Sequence, residues 1–143
     1  MAEYTYNALQ EISVNGSAIF NDSIPCNRGF VFHRNESGVF VLRGVVANAC
    51  QSFARYQVTF NGNISIPTEE TVGPISIGLA LGGEPIQTSN AIVTPTVVDA
   101  FFNVTSTAFI DVPRGCCFSI AVENTSTIPI NLQNANLVIS RVA

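Results

Sequence analysis

The chain has no lysine and no tryptophan, one histidine and one methionine, and only 11% of its 143 residues are charged. Ordinary globular domains carry about a quarter. Its six cations are all arginines, Arg28, Arg34, Arg43, Arg55, Arg114 and Arg141, and they are scattered along a chain of net charge −4. Dispersed cations build no basic stripe, so nucleic acid is excluded as a partner. No apolar run approaches the roughly 20 residues that a membrane-crossing helix needs, so no membrane partner is expected. There is no C-x-x-C pair, no G-x-S-x-G elbow, no EF-hand loop and no phosphate-cradling glycine loop. The start, Met1-Ala2-Glu3-Tyr4-Thr5-Tyr6, lacks the basic region and apolar core of a secretory leader, and synthesis in a cytoplasm is expected. Sequons such as Asn63-Ile64-Ser65 and Asn103-Val104-Thr105 therefore read as an Asn/Ser/Thr-rich β surface rather than as glycan acceptors.

What the chain does have is strand after strand. Val39–Val46, Phe53–Phe60, Pro74–Leu81 and Cys117–Glu123 are rich in β-branched and aromatic residues, and glycine, proline or asparagine punctuates them. Asn15-Gly16 signals a hairpin between 9–14 and 18–20, and Gly82-Gly83 a second between 74–81 and 84–86. Pro25 to Gly29 reads as a loop, Asn61-Gly62-Asn63 as a strand end, and 97–101 as a short helical turn. From Asn103 to Val112 the chain alternates with period two, and Pro113-Arg114-Gly115 turns it. About eight to ten antiparallel strands predict an all-β jelly-roll sandwich, residues 9–143 as a single domain and residues 1–8 as an N-terminal arm. Apolar residues make up 47% of the chain. That excess over the charged share implies an obligate oligomer, whose interfaces hide what one core cannot.

The segments Tyr56–Phe60, Pro74–Ile86, Val104–Val122 with its Asp111–Gly115 turn, and Asn134–Val142 resemble the C1q/TNF-like jelly roll. The form resembled is the compact one found on collagen-stalk proteins of bacterial spores and on virus particles. The resemblance covers about two thirds of the chain and rests on strand order and turn placement; no Gly-X-Y stalk precedes it. It implies a homotrimer with one sheet of each subunit packed about a threefold axis. On that basis Tyr56, Val58, Phe60, Phe109, Phe118, Leu137 and Ile139 are expected at the trimer packing. The whole chain also resembles small uncharacterised phage and prophage structural proteins of Gram-positive hosts. That implies a virion component, such as a head decoration, a head fibre or a fibre tip.

Chemistry-bearing residues are few. Cys26, Cys50, Cys116 and Cys117 leave three readings: reduced thiols at least half buried, disulfides joining Cys26 or Cys50 to Cys116 or Cys117, or metal ligation. The first is favoured. His33 is solitary and reads as a structural residue beside Arg34 and Glu36, although a threefold axis would gather three copies of an axial His33 or aspartate around an ion. Glu69-Glu70 reads as a solvated loop rather than a glycosidase pair. Tyr4 and Tyr6 are expected to anchor the arm in a capsid or tail protein of a phage-like particle, since tyrosine is favoured at hot spots. The expectation is a non-enzymatic trimer without catalytic residue, metal or cofactor, with loops 67–73 and 87–99 facing outward. A glycan- or receptor-binding tip and a spore or surface-layer component are the alternatives.

Overall fold

The computed structural model describes residues 1–25, 29–48 and 50–143. Cys26 and Arg28, most of the 25–29 loop, and any bridge to Cys26 lie outside the described residues. The strands are β1 (Ala2–Tyr6), β2 (Gln10–Ile12), β3 (Asn21–Ile24), β4 (Val31–His33), β5 (Phe40–Arg43) and β6 (Phe53–Ser65). They continue as β7 (Ile75–Leu81), β8 (Glu84–Pro85), β9 (Ala91–Val93), β10 (Phe102–Pro113), β11 (Cys117–Asn124) and β12 (Ile130–Arg141). They form two antiparallel sheets. Sheet A runs β10-β6-β12-β1-β3, with β2 also on β12; sheet B runs β4-β5-β11-β7-β8, with β9 also on β7.

Period-two alternation turns Ala54, Tyr56, Val58 and Phe60 of β6 inward, and Leu137 and Ile139 of β12 with them. Facing them from sheet B are Phe40 and Leu42, Ile77 and Leu79, and Ile120 and Val122. Fully burying a side chain of this size stabilises the fold by about 1.5–3 kcal/mol. The Tyr56 hydroxyl keeps a polar outlet, donating to the carbonyls of Arg43 at 2.6 Å and Phe30 at 3.1 Å.

Several expectations need correction. Strand β6 does not stop at Asn61-Gly62-Asn63. A Cβ on Gly62 would come within 2.8 Å of Leu132 Cδ1 and 3.0 Å of Phe60 Cζ, so the glycine makes room for inner packing and the strand continues to Ser65. The Asn15-Gly16 turn forms, with Asn15 at φ 62°, but 18–20 does not fold back on β2. The chain crosses to the other sheet instead: Ala18 N donates to Val122 O at 2.8 Å, and Ser17 bridges Glu123. The short helical element lies at Gln87–Ser89 rather than 97–101. The Gly82-Gly83 hairpin is as expected, with both glycines at positive φ.

The first residues are not a free arm. Strand β1 pairs β12 from Ala2↔Ile139 to Tyr6↔Ala135, and β3 on its other side. Ala2 and Tyr4 belong to the same core as β6 and β12. Tyr4 is 2% exposed, its ring against those of Phe40 at 4.7 Å and His33 at 4.8 Å. It is therefore withdrawn from any docking partner, and Tyr6 is partly buried against the core.

Candidate interaction face

The outer side of sheet A is set by the residues that alternate with the core. On β6 these are Arg55, Gln57, Thr59, Asn61 and Asn63; on β10 they are Asn103, Thr105, Thr107, Phe109 and Asp111. The register seats Asn103 beside Asn63, Thr105 beside Asn61, Thr107 beside Thr59, Phe109 beside Gln57 and Asp111 beside Arg55. On the other flank of β6, Asn136 lies beside Asn61, Val138 beside Thr59 and Ser140 beside Gln57.

Side-chain hydrogen bonds knit this grid across the strands. Thr59 and Thr107 share a hydroxyl bond of 2.9 Å, and Thr105 Oγ1 donates to Asn61 Oδ1 at 2.9 Å. Asn103 Nδ2 donates to Asn61 Oδ1 at 3.0 Å and Asn63 Oδ1 at 3.1 Å, and Asn63 Nδ2 donates to Asn134 Oδ1 at 3.2 Å. Further along, Asn136 Nδ2 reaches Glu3 Oε2 at 3.0 Å. Such ties hold the side chains in fixed orientations, so the face is pre-organised for contact.

At one end the polarity changes. Arg55 grips Asp111 with two bonds, Nε to Oδ1 at 2.7 Å and Nη2 to Oδ2 at 3.0 Å, and its guanidinium lies over the Phe53 ring at 5.1 Å. The Arg55 hydrogen bond holds the Asp111 carboxyl below the usual carboxylate range, and the same bond raises the Arg55 value. Beside the pair stands Phe109, 63% exposed. Arg55, Phe109 and Asp111 line a cavity of about 340 Å³.

Of the seven residues expected at trimer packing, Tyr56, Val58, Phe60, Leu137 and Ile139 are buried in the subunit's own core, and Phe118 packs half-buried against it. Only Phe109 stands on an outer face. Apolar identity marked the wrong phase of the strand: the inward phase fills the sandwich, and the polar phase faces out. Arg55 and Asp111 are 56 residues apart, a pairing legible only once β6 and β10 are in register.

His33 serves the fold. Its ring stacks on Phe40 at 4.3 Å, Nδ1 meets Asp22 Oδ1 at 2.7 Å and Nε2 meets the Ser37 carbonyl at 2.9 Å. Asp22, rather than Arg34 or Glu36, is the partner, and both ring nitrogens are engaged. Asp99 accepts from Thr68 Oγ1 at 2.7 Å. Cys50, Cys116 and Cys117 are exposed free thiols rather than half-buried ones, because Cys116 lies in the turn that precedes β11 and Cys117 opens that strand on its outer side. Among the described residues no three His, Cys, Asp or Glu side chains cluster to hold a metal, and no helix is long and apolar enough to cross a membrane.

No protein-family model matches the sequence, and no curated protein matches it. Solved structures do match. The globular domain of zebrafish complement 1qA protein superposes with a TM-score of 0.52 at 13% identity, covering 96% of each chain. The fold is the C1q/TNF-like jelly roll. A second structure, the EclA C-terminal domain, described as a sugar-binding protein, reaches a TM-score of 0.44 at 13% identity over 94% of this chain and 79% of its own. At 13% identity the likeness to the complement 1qA domain establishes the fold alone.

Proposed function

We propose that this C1q/TNF-like chain is a non-enzymatic structural protein of a phage-like particle, a head-decoration, head-fibre or fibre-tip component. It works as a homotrimer docked on a capsid or tail protein and is located on the virion. The observation that carries the self-association is the outer side of sheet A: a side-chain grid fixed by its own hydrogen bonds, with Phe109 projecting at 63% exposure beside the Arg55–Asp111 pair. An aromatic next to a bidentate arginine pair is the composition of an interface hot spot. A closed threefold ring satisfies such head-to-tail contacts without leaving a face open to polymerise.

Light scattering coupled to size exclusion at micromolar concentration tests this: the expected mass is three subunits, and a stable single subunit overturns the reading. Phe109→Asp is expected to yield single subunits with an unchanged far-ultraviolet spectrum. Mass spectrometry of purified particles from the host tests the virion placement. With Tyr4 in the core, docking passes to the exposed residues of loop 67–73, Thr68, Glu69 and Val72 among them, since 87–99 holds the short helix and β9.

A second reading, a carbohydrate- or receptor-binding tip, draws on the cavity. An exposed phenyl ring beside paired guanidinium and carboxylate groups offers a stacking surface and planar hydrogen-bonding groups to a sugar. Glycan-array hits that vanish in Phe109→Ala, with the trimer intact, favour it; an array without hits removes it. Neighbouring genes separate the virion reading from a spore or surface-layer protein.

A further inference from the structure

We infer that copies of this chain stack end to end, the arginine-bearing end of one sandwich seated on the acidic end of the next. The arginines are scattered in sequence, and strand register gathers three of them. Strand β6 starts at Phe53, beside Pro113 of β10, and Arg141 closes β12 opposite Tyr56. In the other sheet Arg43 closes β5 beside Cys117. The sheets meet here, where the Tyr56 hydroxyl donates to the Arg43 carbonyl at 2.6 Å. Gly115 N donates to Gly44 O at 3.0 Å, which brings the chain at Arg114 beside the chain at Arg43. The Arg141 guanidinium lies over the Phe30 ring at 4.5 Å.

The segments that form this end, 29–30, 43–52, 113–117 and 141–143, contain no aspartate or glutamate. Asp111, the carboxylate of β10, is already held by Arg55, and neither Arg43 nor Arg141 joins either of the two ion pairs. Val45 and Val142 of the same segments are exposed. At the other end β6 finishes at Ser65, and the segments 66–74, 94–101 and 125–129 contain Glu69, Glu70 and Asp99 but no arginine. Two of these loops are tied together: Asp99 N donates to Ile66 O at 2.9 Å, and Thr68 Oγ1 donates to Asp99 Oδ2 at 2.7 Å. Here too apolar residues are exposed, Val72, Val97 and Phe101.

Opposite charge on mixed apolar ground makes the two ends complementary to each other. A polyanion would match the arginines and leave the valines beside them bare, whereas arginine with apolar neighbours and no lysine is the composition of a protein contact. The two surfaces lie at opposite ends of the same strands, so the contact is head-to-tail and repeats in line instead of closing a ring. Each exposed charge pair contributes little, and three abreast in a trimer act together. The strength of the stack therefore rests on the trimer reading, although its direction does not. The copy at the base of a stack keeps loop 67–73 for the particle protein.

Salt screens such contacts beyond about 10 Å at 0.1 M ionic strength. Sedimentation velocity of the full chain well below and well above that strength is the test. The high-salt size gives the base unit, and multiples of that unit are expected at low salt. Single subunits at high salt overturn the trimer alone; no multiples at low salt overturn the stacking. Arg43→Glu with Arg114→Glu makes both ends acidic, and Glu69→Arg with Glu70→Arg makes both basic. Each double variant alone is expected to stay at the base unit, and the two mixed should recover the multiples, which misfolded chains would not do. Stacks in either variant alone, or a mixture that fails to stack, overturn the inference. So does a wild type that binds polyphosphate at low salt without stacking, which gives the arginine end to a polyanion.

Discussion

The two outer faces of this sandwich obey the same period-two rule and end in opposite characters. On sheet A the outward positions carry Thr, Asn, Gln and one Arg–Asp pair, and their hydrogen bonds run from strand to strand. On sheet B the outward positions of β7 and β11 are small, Ser76, Gly78 and Ala80 beside Ser119 and Ala121, and a single carboxylate is pressed among them. One face offers polar groups already satisfied by one another; the other covers most of one glutamate and leaves one carboxamide oxygen, Asn90 Oδ1, buried without a donor. Outward-facing is therefore not the same as solvated.

The sharpest way to break the comparison is within one strand. Phe60 and Thr59 are neighbours on β6, one in the core and one in the outer grid. Phe60→Ala is expected to cost about 3–5 kcal/mol, because it removes a ring with no exposed surface and leaves a cavity. Thr59→Ala loses one exposed hydroxyl bond, worth about 0.5–1.5 kcal/mol. Urea unfolding at fixed protein concentration measures both; similar losses would mean that the outer grid is as integral to the fold as the core.

Sheet B is tested next at Gly78. Alanine there must displace the Asn90 carboxamide, and Asn90 Cα stands only 3.3 Å from the new carbon. Overpacking of this kind costs about 1–3 kcal/mol. The same substitution at Gly83 meets no neighbour, and there the strain is of the backbone alone, at φ 86°. A Gly78→Ala protein as stable as the wild type would show that the cover of Asn90 over Gly78 is loose.

These contrasts also show what was legible in the chain. The alternation from Asn103 to Val112, the Gly82-Gly83 hairpin and the turn at Gly115 are local signals, and each stands where expected. Tyr4 and Tyr6 do not announce a first strand, although Ala2, Tyr4 and Tyr6 already share one phase; pairing with β12 at the far end of the chain, from Ala2↔Ile139 to Tyr6↔Ala135, makes that phase a core. The candidate faces were hidden for the same reason. Arg55 finds Asp111, and Glu123 finds Gly78, only through register between distant strands. Apolar residues announce themselves as a site for association, yet here most of them fill the sandwich and the outer side of sheet A is left to the polar phase.

Glu123 gives a smaller effect with a defined pH signature. Burial, with the charge of Glu84 behind it, pushes its carboxyl above the ordinary 4.5. At low pH the carboxyl is protonated in both folded and unfolded chains and the shift costs nothing. As pH rises through the ordinary value, the unfolded chain releases its proton first and the folded state loses ground, until the folded carboxyl has also ionised. Glu123→Gln is expected to match the wild type near pH 3 and to melt higher at neutral pH. A variant less stable than the wild type at pH 7 would mean that the ionised carboxylate is held by a partner.

The smallest effect is expected at Asp111, and its sign is opposite. The hydrogen bond from Arg55 lowers its carboxyl below the ordinary 3.8, so the pair contributes stability above that value and loses it as pH falls through the depressed one. Both partners stand in solvent, which screens the interaction and leaves little net stabilisation. Asp111→Asn should therefore lower the melting temperature slightly at pH 7 and low salt, less at 1 M salt, and progressively less as the pH falls below 3.8. If Asp111→Asn lowers it by many degrees, and the loss deepens as the protein is diluted, the pair is buried between subunits and the outer side of sheet A is the interface; a small loss independent of concentration leaves Arg55–Asp111 an exposed pair and confines any self-association to Phe109 and the grid beyond it.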